Sequence, residues 1–239
     1  MPIRAIVWDI DDTLFDYATA DTTGMREHLA AEGLLDGFGG VEPALERWRA
    51  LTREYWARFE AGELAWEEQR RERVRAFVGD ALGDGAADGW FRRYLAHYEA
   101  AWALFPDTVP ALDALAATHR HAVLSNSSLH NQDRKLRVLG VRDRFEAVVC
   151  AAELGVAKPE AAAFHAVCEE LDLPPHEVAY VGDQPDTDAR GAVEAGLAGI
   201  WLDRAEIGGR PELVRITALD QLSPLLARDT RFGAPETFG

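Results

Sequence analysis

The sequence is short of cysteine, of positive charge and of long apolar runs. Only two cysteines, Cys150 and Cys168, occur in 239 residues. They read as buried thiols. Spacing alone leaves a pair open, but such sparse usage fits a reducing compartment, and a cytoplasmic protein is the expectation. Lysine and arginine number 25 against 41 aspartates and glutamates, a formal net charge of −16. That excess argues against nucleic acid or an anionic membrane as partner, because both need basic patches. A small anionic substrate needs only a few local cations and is not excluded. No apolar run approaches transmembrane length, and the N-terminus carries no signal-peptide pattern. Internal repeats and low-complexity tracts are missing as well. Nothing in this composition fixes the oligomeric state, and monomer and homodimer are both compatible with it.

What is present is an alternation of short apolar runs and helical patterns. The first run, Ile3–Asp9 within "RAIVWDIDDTL", stops on three acids, Asp9, Asp11 and Asp12. Similar β-rich runs follow at 121–126 (HAVLSN), 146–151 (EAVVCA), 177–183 (EVAYVGD) and 199–203 (GIWLD). Helical periodicity falls between them, at about 107–118, 130–138, 160–171 and 187–195. Pro106 and Asp107 read as the start of the first of these helices. Strand alternating with helix predicts a parallel sheet covered on both faces.

The alternation fails over 17–102. There the apolar spacing is helical throughout, over about 19–33, 41–60, 64–80 and 87–102. Five of the seven tryptophans lie in this stretch, which fits a small helical core of its own. The expected division is therefore an α/β core, 1–16 with 103–239, and an inserted all-helical domain, 17–102. Within the insert, "EEQRRERVR" (67–75) is dense in charge, with Glu67 and Arg71 at i, i+4. The default expectation is a solvated helix face. A phosphate or sugar contact by one arginine is the alternative. The last residues, 229–239, are polar with Gly and Pro and read as a mobile tail.

In an open parallel sheet, ligands bind beyond the carboxyl ends of the strands. The polar clusters fall there: Asp9 and Asp11 after the first strand, Ser125 and Asn126 ending the second, Lys158 in the loop after the third, Asp183 ending the fourth. Three acids at one rim repel unless a cation sits among them. Hard oxygen ligands in this number suit Mg²⁺ beside a phosphate. Any one of these aspartates alone could be a helix cap. The set at matched strand ends is harder to explain that way.

These residues, in this order, resemble the haloacid dehalogenase-like hydrolase superfamily. Its first motif, Asp-x-Asp-x-Thr after an apolar strand, matches Asp9 to Thr13. A strand ending on Ser matches Ser125, a Lys before Pro matches Lys158-Pro159, and Gly-Asp with a later Asp matches "VGDQPDTD", which carries Asp183 and Asp188. The helical insert resembles that family's cap domain. Asp12 stands where Gly is commoner.

The resemblance implies a Rossmann-like doubly wound parallel sheet and a Mg²⁺-dependent phosphatase acting on a small phosphate ester, a nucleoside monophosphate or sugar phosphate. Asp9 is then the nucleophile, Asp11 the general acid and base, and Ser125, Asn126 and Lys158 the phosphate ligands. Asp9, Asp11 (through its carbonyl) and Asp183 hold the metal, with Asp188 behind them. The alternatives are a phosphomutase, which shares Asp11 and the cap, a dehalogenase, which lacks an acid at that position, and a catalytically idle binding protein.

Overall fold

The computed structural model describes residues 2–79 and 82–228, so the tail expectation for 229–239, and the end of the 64–80 helix, lie outside the described residues. The chain divides into two compact units, Met1–Asp16 with Ala103–Gly239, and Tyr17–Trp102.

The first unit is built on six parallel strands: β1 (Ala5–Trp8), β2 (Arg120–Ser125), β3 (Ala147–Cys150), β4 (Val178–Gly182), β5 (Ala198–Leu202) and β6 (Val214–Ile216). Their order is β3-β2-β1-β4-β5-β6. This is the doubly wound α/β class, reached because β1 and β4 are buried throughout and β2 is buried from His121 onward, with an apolar centre at Ala122–Leu124. The helices of this unit include α6 (Thr108–Leu115), α7 (Leu129–Val138), α8 (Ala151–Leu154), α9 (Ala161–Glu170) and, after β4, the short α10 (Gly191–Glu194); numbers α1 to α5 belong to the other unit. Phe164, Val167 and Leu171 of α9 and its C-terminal end pack on Val7, Leu124 and Tyr180. The chain leaves β1 for β2 and β3 on one side and returns to β4, β5 and β6 on the other. The point of reversal is β1 itself, where this topology opens a crevice beyond the strand ends.

Two details go beyond the sequence reading. The strand β6 went unpredicted, because three residues are too few to show alternation. Asp107 does precede α6, but its carboxylate does not cap the helix. It accepts two bonds from Arg204 at 3.0 Å and one from the Leu219 N–H at 2.9 Å, tying the α6 entrance to the distal edge of the sheet.

The second unit is helical throughout: α1 (Tyr17–Glu32), α2 (Leu35–Phe38), α3 (Val41–Glu60), α4 (Trp66–Val78) and α5 (Asp84–Ala100). Gly79, in the left-handed region at φ 74°, ends α4 with its N–H on the Arg75 carbonyl. Leu45, Trp48, Phe77, Trp90 and Phe91 fill the interior, as the aromatic content predicts. Gly24 lets α1 lie against α5, since a Cβ there would sit 2.5 Å from Tyr98 Cα. The solvated face expected for 67–75 forms only in part: Glu67 and Glu68 are exposed. Arg71 turns to α5 and pairs with Asp88 at 2.8 Å and Asp84 at 3.2 Å, and Arg73 is buried.

His28 lies wholly inside this unit, its ring 4.3 Å from that of Trp90, with neither ring nitrogen hydrogen-bonded. Burial pulls its pKa down to about 4; Arg93 and His97 push the same way and Glu32 opposes them. The unfolded chain therefore binds the proton first, and stability is lost as pH falls from about 6.5 towards 4. His28→Leu should remove up to about 3 kcal/mol of that acid loss. Urea midpoints at pH 7 and pH 4.5 measure it; equal acid sensitivity in the two proteins would contradict it.

Candidate active site

Four strand ends deliver the predicted residues. β1 runs into Asp9, whose N–H donates to the Val181 carbonyl of β4 at 2.9 Å, so the pairing of the sheet fixes the start of the loop. The loop turns back at Asp12, which adopts φ 59°, a left-handed conformation that glycine accepts freely and aspartate better than most. Ser125 is the last residue of β2, Lys158 follows β3 and α8, and Asp183 follows β4. Asp188 stands on a single wide turn, Pro185–Arg190, with i→i+5 hydrogen bonding. Such turns often mark functional positions.

Lys158 is the centre of the arrangement. Its Nζ donates to Asp9 Oδ1 at 2.8 Å, Asp188 Oδ1 at 2.7 Å and Tyr180 Oη at 2.6 Å. An ammonium has three protons, and all three are used. Tyr180 finds acceptors for its own proton at the Leu124 carbonyl (3.1 Å) and Asp188 Oδ1 (3.3 Å). The second Asp188 oxygen accepts from the Gln184 N–H at 3.0 Å. Gly182 makes room for this carboxylate, because a methyl group there would overlap it. The two flanking carboxylates raise the Lys158 pKa, against the effect of burial.

Asn126 clasps the Lys158 loop. Its Nδ2 donates to the Lys158 carbonyl at 2.9 Å and its Oδ1 accepts from the Lys158 N–H at 2.8 Å. The side chain expected to meet phosphate is thus spent on positioning lysine. A second network surrounds Asp11. Gln132 Nε2 bridges Asp11 Oδ2 at 2.9 Å and Ser125 Oγ at 3.1 Å, and Lys135 Nζ donates to Asp11 Oδ1. Lys135 also lies 4.3 Å from the centre of the Phe15 ring.

Of the predicted residues, Asp9, Lys158, Asp188 and Asn126 meet in one hydrogen-bonded group, and Asp11 with Ser125 in the other. Tyr180, Gln132 and Lys135 were missed. Tyr180 is one more aromatic in an apolar strand and gives no local signal. Gln132 and Lys135 do: they stand three apart on the buried face of α7, beside Leu136, where polar residues need a reason.

The acids left without enough positive charge point to a cation. Asp9, Asp183 and Asp188 each offer a carboxylate oxygen, the three within 4.8 Å of one another. Burial pushes Asp183 up to about 8, with Asp9 and Asp188 adding repulsion. It pushes Asp9 up to about 7 even though Lys158 opposes it. An all-oxygen group of this kind fits a hard divalent ion such as Mg²⁺.

A family model for haloacid dehalogenase-like hydrolases matches residues 3–196. The chain belongs to that family. Phosphoserine phosphatase of Thermus thermophilus is 30% identical, over 88% of this chain and 91% of its own length. An (S)-2-haloacid dehalogenase of a Pseudomonas species is 28% identical, over 96% and 99%. Among solved structures, the magnesium-bound HAD hydrolase YfnB of Bacillus subtilis superposes with a TM-score of 0.75 at 20% identity, covering 95% of this chain and 99% of that one. The chain is therefore a hydrolase of this family, whose relatives include both phosphatases and dehalogenases. Among the described residues no helix is long and apolar enough to cross a membrane.

Proposed function

We propose that the protein is a Mg²⁺-dependent phosphomonoester hydrolase working through a phosphorylated Asp9. The observation that carries this reading is the Asp11 carboxylate, two residues beyond Asp9 and fixed by Gln132 and Lys135. An alcohol leaving phosphorus needs a proton, whereas a departing halide does not.

Asp9 attacks phosphorus and the bond to the leaving oxygen breaks, while Asp11 gives that oxygen its proton. Asp11 then takes a proton from the water that attacks the aspartyl-phosphate, which frees phosphate and restores Asp9. Ser125 Oγ donates to a phosphoryl oxygen. Lys158 offsets charge on Asp9 and the phosphoryl group; Asp188 and Tyr180 aim it and Asn126 anchors its backbone. The metal ligands in this reading are the Asp9 and Asp183 carboxylates and the Asp11 carbonyl, since both Asp188 oxygens are engaged elsewhere. Held by these groups, Mg²⁺ would supply positive charge to stabilise the phosphoryl group during transfer. The substrate class is a small phosphate ester, a nucleoside monophosphate or sugar phosphate.

Asp11→Asn separates the steps. It should slow an alkyl phosphate by about 10²–10⁴-fold, and an aryl phosphate far less in the first step, because phenolate leaves unaided. With the aryl ester, rapid mixing should then show a burst of phenolate and accumulation of phosphorylated Asp9. Equal losses on both esters without a burst would remove Asp11 from the acid–base role. The Pseudomonas relative favours dehalogenation as the second reading; halide release from 2-chloropropionate by the unaltered protein would establish it.

A further inference from the structure

One buried amide touches two groups of the proposed chemistry. Gln132 of α7 is 1% exposed, on a helix face that it shares with Leu136. A leucine there would satisfy the packing. The amide instead directs one Nε2 proton to Asp11 Oδ2, at 2.9 Å, and the other to Ser125 Oγ, at 3.1 Å. A carboxylate can only accept, so the group facing it is the NH₂ and not the carbonyl. Oε1 is left buried with no donor. Such an arrangement costs stability, and the core gains nothing from it.

Each bond constrains its partner. Ser125 Oγ accepts from the amide and, among the described residues, makes no other hydrogen bond. Its own proton is left to point away from Gln132, which makes the hydroxyl a donor of fixed direction. A hydroxyl that accepts one bond also donates the next more strongly. Asp11 Oδ2 is held on the other side of the same amide, while Lys135 Nζ holds Oδ1. The two N–H bonds of a planar amide keep a rigid angle, so the hydroxyl and the carboxylate are set against each other. In the proposed mechanism the two act on different oxygens of one phosphorus, Ser125 on a phosphoryl oxygen and Asp11 on the leaving one. Lys135 also holds Asp11, but it is charged, and its loss would change field and geometry together. Gln132 is neutral, so its loss changes geometry alone. The Asp11 side chain is 35% exposed and the amide is enclosed, so Gln132 acts through its partners and not on the substrate.

We propose that Gln132 is a positioning residue that aligns the Ser125 hydroxyl and the Asp11 carboxylate on one substrate phosphate, so that phosphate binding and leaving-group protonation depend on the same amide. The role rests on the phosphatase reading. Gln132→Leu keeps the approximate volume and the charge of the site and removes both bonds; Gln132→Met serves the same end if the leucine variant does not fold. Rapid mixing gives first-step rates for ethyl phosphate and phenyl phosphate. The ethyl-to-phenyl ratio should fall by about tenfold or more, since a displaced acid is missed by a departing alkoxide and not by phenolate. Calorimetry with inorganic phosphate and Mg²⁺ needs no turnover. Affinity there should weaken about three- to tenfold as the Ser125 hydroxyl loses its fixed direction. In a Ser125→Ala background the same substitution should weaken phosphate no further.

Melting should stay within about 4 °C of the original, because the orphaned Oε1 leaves together with the two bonds. A merely structural role would instead lower Tm and slow both esters equally, and that result overturns the proposal. Failure of the unaltered protein to release phosphate from either ester overturns the phosphatase reading and this role with it. Release that continues, with the ratio and the phosphate affinity both unchanged in the variant, overturns the positioning role alone. So does a change in only one of the two, or a further loss of phosphate affinity in the Ser125→Ala background.

Discussion

Asp9→Asn is expected to lose phosphate release by at least about 10⁴-fold, the scale seen when a covalent nucleophile is removed. The substitution keeps shape and keeps an oxygen for the Lys158 ammonium, now 2.8 Å from Asp9 Oδ1, so the fold should survive. What disappears is the ionised oxygen that, in the proposed mechanism, attacks phosphorus. Steady-state rates with an aryl phosphate and Mg²⁺ give the magnitude. Acid-quenched protein analysed by mass spectrometry should show phosphate on the peptide containing Asp9 in the unaltered chain and none in the variant. Turnover within tenfold of the original would sink the nucleophile assignment. Near-original turnover with a chelator present would do the same for the metal.

Lys158→Met should damage both stability and activity. It removes the cation shared by the Asp9 and Asp188 carboxylates, both nearly excluded from solvent, and strips Tyr180 Oη of its donor. Breaking a buried ion pair on one side costs about 3–5 kcal/mol, because the remaining charge stays buried and unpaired. In a chain of this size that corresponds to a fall in Tm of roughly 6–20 °C. The double variant Lys158→Met, Asp188→Leu should recover part of the stability, since it removes one of the stranded acids, and none of the activity. Thermal melts of the single and double variants, with rates on one substrate, make the test. A single variant that melts within about 2 °C of the original would show that the pair contributes little.

Much of this site was legible because it follows the chain locally. An apolar run that stops on Asp9 and Asp11, or on Gly182 and Asp183, marks a strand and its functional end in the same few residues. Lys158 and Ser125 were legible only as members of that set. The unread parts depend on tertiary placement. Tyr180 serves Lys158 from a strand position that any large apolar side chain could fill. Arg73 sits in a run of charges whose spacing suggests solvent, and only the packing of α4 against Trp48 and Phe91 buries it. The Asp107 side chain meets Arg204, 97 residues away. Pairings at such separation leave no periodic trace in one sequence.

The position of β1 in the sheet also orders events during synthesis. Of the six strands it is made first, yet its neighbours are β2 and β4, with Ala5 registered against Arg120 on one side and Val178 on the other. The whole of Tyr17–Trp102 leaves the ribosome before either neighbour exists, and its helices find their partners within that stretch. The strand leading to Asp9 must wait, apolar and unpaired, across closures of more than a hundred residues, which are slow to form. Asp9 is thus made well before its surroundings, which are complete only once Asp188 has followed. On the proposed mechanism, a nascent chain cannot begin hydrolysis before β1 to β4 have all been made.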